Sequence, residues 1–253
     1  RSYKGYHYRV LNDLLGLDGY FSTGNDNLTE GIILTETIEA SPFKDTGLTT
    51  DKINYYNIGL VNWSGFNGKF EYKKDDKYSA IIQYGISNQN YQREDYFAQP
   101  ANPISDEEDK VGGYVKGGAN YNFDDKHNAF FNAGYISRQP FFDAIFPNFA
   151  NDVNQDAENE KITSFELGYG YTTSELKVNL NVYNTLWSDR FFTVGIPLDG
   201  GQFGTAQFSN VEQLHQGVEL ETFYKPTFDL MITGMLSVGD WRYKENVDSR
   251  VFD

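Results

Sequence analysis

The clearest regularity along the chain is a period of two. Across 175–182, Leu176, Val178, Leu180 and Val182 alternate with Glu175, Lys177, Asn179 and Asn181, so an extended strand here has one apolar and one polar face. Phe165, Leu167, Tyr169 and Tyr171 stand in the same way against Ser164, Glu166, Gly168 and Gly170. Val218, Leu220, Thr222 and Tyr224 stand against Gly217, Glu219, Glu221 and Phe223. Further apolar faces are read at Ala80, Ile82, Tyr84 and Ile86, at Val115, Ala119, Tyr121 and Phe123, and at Ala129, Phe131, Ala133 and Tyr135. The alternation predicts about nine strands, near 1–10, 52–73, 77–97, 110–123, 127–139, 160–173, 175–193, 206–225 and 227–244. Several exceed the length of about 5–6 residues that strands average. No helix-period segment and no fixed-length repeat competes with this reading.

The links between these strands alternate in length. Turn-forming sequences make short links at 74–76, 124–126, 173–174 and 225–226. Long links fall between them, at 11–51, 98–109, 140–159 and 195–205. Short turns at one end of a sheet and long loops at the other are the arrangement of outer-membrane barrels. Aromatic residues of the apolar face gather beside the short turns: Tyr72 and Tyr78, Tyr121 and Phe123, Tyr169 and Tyr171, Tyr224 and Phe228. A tyrosine has an apolar ring and a polar tip, which suits it to a membrane boundary. The competing explanation is a soluble, elongated β protein whose tyrosines pair across strands. The asymmetry of the loops favours the barrel.

Composition agrees. Aromatics are 17% of the residues against 39% hydrophobic overall, so the apolar surface is unusually aromatic. No run approaches the roughly 18 apolar residues of a membrane-spanning helix, and the longest apolar stretches, such as 31–34, are far shorter. The mean hydropathy of -0.58 does not exclude a membrane barrel, because lumen-facing polar residues dilute the lipid-facing ones. A net charge of -15 opposes binding to nucleic acid, which needs clustered Lys and Arg. With no cysteine there is no disulfide framework, thiolate zinc site or thiol nucleophile. The chain opens at Arg1 without an initiator Met or an export signal, and Val251-Phe252-Asp253 does not resemble a closing strand, so a piece of a longer protein is expected.

Local sequence then resembles the TonB-dependent receptors, especially those of Bacteroidetes. The resemblance is carried by Asp13-Leu14-Leu15-Gly16 with Tyr20-Phe21, and by Tyr55-Tyr56-Asn57 leading into Gly65-Phe66-Asn67-Gly68-Lys69-Phe70-Glu71-Tyr72. Two further stretches are more general to the family: Asn159-Glu160-Lys161-Ile162-Thr163-Ser164-Phe165-Glu166-Leu167-Gly168-Tyr169, and the run from Asn210 through His215-Gln216-Gly217-Val218-Glu219-Leu220-Glu221. The resemblance implies a barrel of about 22 strands around a plug domain, energised through the inner-membrane protein TonB. Neither plug nor coupling segment is present in this sequence.

Candidate chemistry is sparse. His7, His127 and His215 are far apart and fall in no metal-ligand spacing. Ser209 and His215 are close in sequence without a hydrolase motif around them. The pairs Asp75-Asp76 and Asp124-Asp125 occupy tight turns, where Asp bonds its own backbone. The run Asp106-Glu107-Glu108-Asp109 reads as a solvated loop or a calcium site, and the loop at 11–51 carries eight acids against one Lys. Gly112-Gly113 and Gly117-Gly118 lack the Gly-Lys-Ser/Thr ending of a phosphate loop and are expected to permit bulges and curvature. Lys69, Glu71, Lys116, Glu166, Lys177, Glu219 and Glu221 are expected to face the lumen, toward a plug, a substrate or water. The loop at 140–159, with Phe141, Phe142, Phe146 and Phe149, is expected to be ordered.

The expectation is therefore an all-β, antiparallel transmembrane β-barrel, of which residues 1–253 form part of one domain with long extracellular loops at 11–51, 98–109, 140–159 and 195–205. The function expected is active transport of a scarce nutrient across the outer membrane of a Gram-negative bacterium. It involves no enzymatic activity, no cofactor, no metal and no catalytic residue, and the substrate-binding residues are open. Expected partners are outer-membrane lipid, the TonB complex through parts of the protein outside this chain, and a substrate of the siderophore, haem, cobalamin or oligosaccharide class. The alternatives are a passive porin or a ligand-binding barrel, and a soluble β-rich binding module.

Overall fold

Alternation of apolar and polar residues is realised as antiparallel strands throughout. The computed structural model describes residues 1–9, 20–22, 32–34, 53–96 and 101–252. The strands are β1 (Ser2–Arg9), β2 (Tyr20–Ser22), β3 (Ile32–Leu34), β4 (Ile53–Lys74), β5 (Tyr78–Asp95), β6 (Glu108–Asn122), β7 (His127–Arg138), β8 (Glu160–Thr172), β9 (Leu176–Pro197), β10 (Phe203–Thr227), β11 (Leu230–Tyr243) and β12 (Ser249–Phe252). One short helix, α1, spans Phe142–Ile145. Ten strands make one sheet in the order β1-β4-β5-β6-β7-β8-β9-β10-β11, with β12 also on β10, while β2 and β3 pair with each other. Among the described residues β1 pairs only with β4 and β11 only with β10, so the sheet is unclosed. No described helix is long and apolar enough to cross a membrane.

All nine strands read from the alternation occur in the main sheet. The differences lie at their ends and inside one link. β9 runs to Pro197 and β10 starts at Phe203, so the ladder occupies much of 195–205 and leaves a link of 198–202, closed by Leu198 N–H donating to the Gln202 carbonyl at 2.8 Å. Gly200 and Gly201, both at φ 81°, allow this tight reversal. The link at 11–51 lies outside the described residues except for β2 and β3, which were not anticipated, and neither was β12.

The chain divides into two compact units. The first comprises Arg1–Ser64, Asn88–Lys110 and Phe141–Ala157. Its core joins Tyr91, Ile145, Phe146 and Ala157, with Val61, Phe142 and Val153 packed against them. Here the loop at 140–159 is ordered: α1 buries Ala144 and Ile145, and Asn154 bonds the Ala144 carbonyl through its side chain and the Ile145 carbonyl through its N–H. Arg93 and Asp95 form a buried ion pair at 2.8 Å, and Arg93 also donates to Asn151 Oδ1 at 2.7 Å.

The second unit comprises Gly65–Ser87, Val111–Pro140 and Glu158–Asp253. Its side chains pack along the sheet from strand to strand and leave large apolar groups uncovered, such as Leu167 at 58% and Leu236 at 62% exposure. A soluble sheet would bury that face under a second layer.

Candidate functional site: the two faces of the sheet

Register across β7–β11 assigns the side chains of the central ladder to two faces. On the apolar face, Phe131 opposes Leu167, Leu167 opposes Val182, Val182 opposes Val218 and Val218 opposes Val238. On the other face, Asn132 opposes Glu166, Glu166 opposes Tyr183, Tyr183 opposes Gly217 and Gly217 opposes Gly239. A slip of one residue would exchange the two sets, so a pairing this consistent across five strands fixes the sheet's inside and outside.

The apolar face is bounded at both ends. Beside the short turns lies an aromatic row: the Tyr78 and Tyr121 rings are 4.9 Å apart, Tyr121 and Phe123 5.0 Å, and His127 and Tyr171 4.8 Å. His127 thus belongs to this row, opposite Tyr171. At the far end lies a charged row, where Lys161 pairs with Asp189 at 2.8 Å and Glu212 accepts from Ser188 at 3.3 Å and from Lys244 at 2.9 Å. From Tyr171 to Lys161 is ten residues on one strand, about 33 Å at 3.3 Å per residue. At the tilt usual for membrane barrels that is about 25 Å of depth, the height of their apolar band. One polar row interrupts this face, where Asn184 donates to Gln216 at 3.0 Å and Gln216 to Asp240 at 3.3 Å, so these groups satisfy one another.

The turns follow from their acids. Asp75 and Asp76 adopt left-handed φ of 50° and 48°, and Lys77 N–H closes the turn on the Lys74 carbonyl at 3.0 Å. Asp124 Oδ1 accepts the N–H groups of Lys126 and His127, each at 2.8 Å. The Lys126 N–H above all, with the His127 N–H after it, holds the Asp124 carboxyl below its ordinary range against the opposing effect of desolvation. The Lys73 ammonium, bonded at 2.6 Å, does the same for Asp76.

The polar face carries an amide and carboxylate network. Glu166 accepts from Asn132 at 2.9 Å and from Asn181, tying β7 and β9 through β8. Asn128 donates to Asn120 at 2.7 Å and Asn120 to Asn122 at 2.8 Å. Lys116, Glu166, Lys177, Glu219 and Glu221 share this face by register. Lys69 and Glu71 pair with each other at 3.0 Å. Toward β7, the register of β6 runs unbroken from Gly113 opposite Ser137 to Asn122 opposite Asn128, so no bulge falls on that side. A Cβ would meet the Gly85 carbonyl at Gly113 and the Ile81 carbonyl at Gly117, each at 2.6 Å. A Cβ at Gly118 would collide with Asn132, and one at Gly168 with Phe130.

At the strand ends remote from the short turns, the polar face holds a cluster that reading the chain residue by residue did not find. Glu160, 1% exposed, accepts from Arg138, from Trp187 Nε1 at 3.3 Å and from the Phe191 N–H at 3.4 Å. The guanidinium groups of Arg190 and Arg138 sit 4.1 and 5.2 Å from the Trp187 ring centre. Arg190 also donates to Gln213. The available signal was Arg138 and Glu160, opposite charges at the two mouths of the 140–159 loop.

The other candidates do not converge. Ser209 and His215 are six residues apart on β10, about 20 Å along a strand, and the cross-strand neighbours of His215 are Thr185 and Trp241. His7 lies opposite Asn57. In the acidic run, Glu107 accepts from Asn90 at 3.0 Å, Asp109 from Asn88 at 2.7 Å, and Glu108 pairs with Lys110 at 2.8 Å. Among the described residues no group of three or more His, Asp or Glu is placed to hold a metal ion.

A sheet with an apolar outer face crossed by one self-satisfied polar row, an aromatic row at its short turns and a hydrogen-bonded polar inner face is the wall of a membrane β-barrel. The family described as "TonB dependent receptor-like, beta-barrel" matches residues 112–250, more than half of the chain, and the protein belongs to that family. Members of this family are outer-membrane transporters and not enzymes. No curated protein matches the sequence. Among solved structures, the copper transporter OprC is similar over 75% of this chain and 29% of its own, with 17% identity and a TM-score of 0.55. The ferric-catecholate import receptor Fiu from K12 E. coli, in its closed form, is similar over 96% of this chain and 34% of its own, with 12% identity and a TM-score of 0.56. At such identities the likeness is one of fold, and the chain spans about a third of the length of each.

Proposed function

We propose that the chain is part of the barrel wall of a transporter that brings a scarce nutrient across the outer membrane of a Gram-negative bacterium, driven through TonB. In this reading residues 1–253 belong to one barrel domain, with the short turns toward the periplasm and the long loops at 11–51, 98–109 and 140–159, together with the shorter link at 198–202, outside the cell. TonB is contacted by parts of the protein beyond this chain. The polar face lines the path, and the apolar face meets lipid.

The observation that carries this reading is the apolar face of the second unit, about 25 Å deep between an aromatic and a charged row. Family membership adds the energy source, and two solved structures of similar fold are named as a transporter and an import receptor. The test uses the complete protein in its own host. It is expected in the outer-membrane fraction, with heat-modifiable mobility, and nutrient uptake through it should stop when an uncoupler collapses the inner-membrane proton gradient. Uptake that continues undiminished after uncoupling would mean passive diffusion and would overturn the active-transport reading.

A further inference from the structure

We propose that Trp241 and Tyr183 form a stacking subsite for a neutral, hydroxyl-rich ring, such as a pyranose, on the polar face of β9–β11. This rests on the transport reading and names the substrate class for it.

Tyr183, Gly217 and Gly239 are direct cross-strand neighbours on that face. A Cβ added to Gly239 would meet Trp241 Cε2 and Cζ2 at 2.7 Å, and one added to Gly217 would meet the Tyr183 hydroxyl at 2.8 Å. The two aromatic groups therefore lie along the sheet, in space that any side chain at either glycine would occupy. Trp241 Nε1 donates to the Tyr183 hydroxyl at 2.8 Å, which fixes the indole in place. With its single polar atom engaged there, what Trp241 presents is aromatic surface. Met235 and Tyr243 share this face of β11, but it is Trp241 that a hydrogen bond to Tyr183 holds and that lies over Gly239.

The surroundings select the ligand. The next positions on the same face are Glu219, Asn181 and Ser237, with Glu166 and Asn132 beyond. Ser237 donates to Glu219 at 3.5 Å, and Glu166 orients Asn132 and Asn181. These groups accept and donate hydrogen bonds at the edge of an aromatic plate, which matches a ring with an apolar C–H face and hydroxyls around its rim. On the inner face of β8–β11, Glu160, Glu166, Glu219 and Glu221 stand against Lys177 and Arg190, so the wall is acidic on balance and disfavours an anionic ligand.

The test is calorimetric titration of the complete protein in detergent with neutral hexasaccharides of glucose, mannose and xylose. A ferric tris-catecholate serves as the anionic probe and a tetraalkylammonium ion as the cationic one. At least one hexasaccharide should bind, Trp241→Ala should weaken it about tenfold, Trp241→Phe should weaken it less, and neither variant should alter any binding of the anion. Heat-modifiable mobility reports the folded fraction of each variant. The proposal is overturned if no hexasaccharide binds, if only the cation binds, or if Trp241→Ala binds as tightly as the parent. Should the protein carry out uncoupler-sensitive uptake of the catecholate without binding sugar, the inference fails and the transport reading stands. Absence from the outer membrane removes both.

Discussion

Asp124 shows how one carboxylate sets a turn. Its Oδ1 satisfies the N–H groups of Lys126 and His127, and this delivers His127 to the aromatic row opposite Tyr171. Because these donors favour the ionised form, the folded carboxyl titrates below its ordinary value near 3.8. The sign follows: its contribution to stability is present above that ordinary value and is lost as pH falls through the lower, folded one. Asp124→Ala should therefore lower the unfolding temperature of the complete protein at pH 7, with the difference from the parent shrinking toward pH 2.5. Asp124→Asn keeps an acceptor oxygen and should differ less at pH 7. A deficit in Asp124→Ala that is the same at both pH values would contradict this account of the turn. The histidines illustrate the opposite case. His127 and His215 are placed by cross-strand neighbours, Tyr171 and Trp241, that no spacing along the chain reveals.

At the scale of strands, one tight cross-strand fit is Phe130 lying over Gly168, its direct partner on the polar face. Gly168→Ala would put a methyl group into the ring, an overpacking cost of about 1–3 kcal/mol. In the background of Phe130→Ala the same substitution should cost less, with Asn181 Oδ1, 2.6 Å from a Cβ at position 168, accounting for what remains. A double-mutant cycle by reversible urea unfolding in lipid vesicles measures the coupling, and an equal cost in both backgrounds would mean that the ring does not fill that space. The strands themselves were legible because lipid or a core on one side and water on the other force a period of two, as in Leu176 through Val182. Their ends were less so. Thr193 and Gly195 alternate with Val194 and Ile196 as weakly as a loop does, yet the ladder continues through them opposite Gln207 and Thr205. The Glu160 cluster and the Trp241 plate were hidden for another reason. Each gathers residues from separate strands, and only register brings Glu160 to Arg138 and Tyr183 to Gly217. The left-handed φ of Asp189 and Asn210, near the register shifts around Val211, likewise has no signature in the alternation.

For the whole molecule in the proposed role, the two faces of the sheet meet different solvents: hydrocarbon on one side, water on the other. Leu180 and Asn179 are adjacent on β9 and face opposite ways, Leu180 among Tyr169 and Leu220, Asn179 beside Gly170 and Glu221. Stability alone does not decide between lipid and a protein core. Leu180→Arg is expected to cost about 2–4 kcal/mol at the bilayer midplane, and it would also be costly in a soluble core. The identity of the contacting solvent does decide. The direct measurement is the relaxation of a nitroxide attached at position 180 or at position 179 of the complete protein in reconstituted membranes. The label at 180 should be reached by oxygen, which concentrates in hydrocarbon, and shielded from a water-soluble nickel chelate. The label at 179 should show the reverse. Equal access of the chelate to both positions would contradict the membrane assignment and the transport function built upon it.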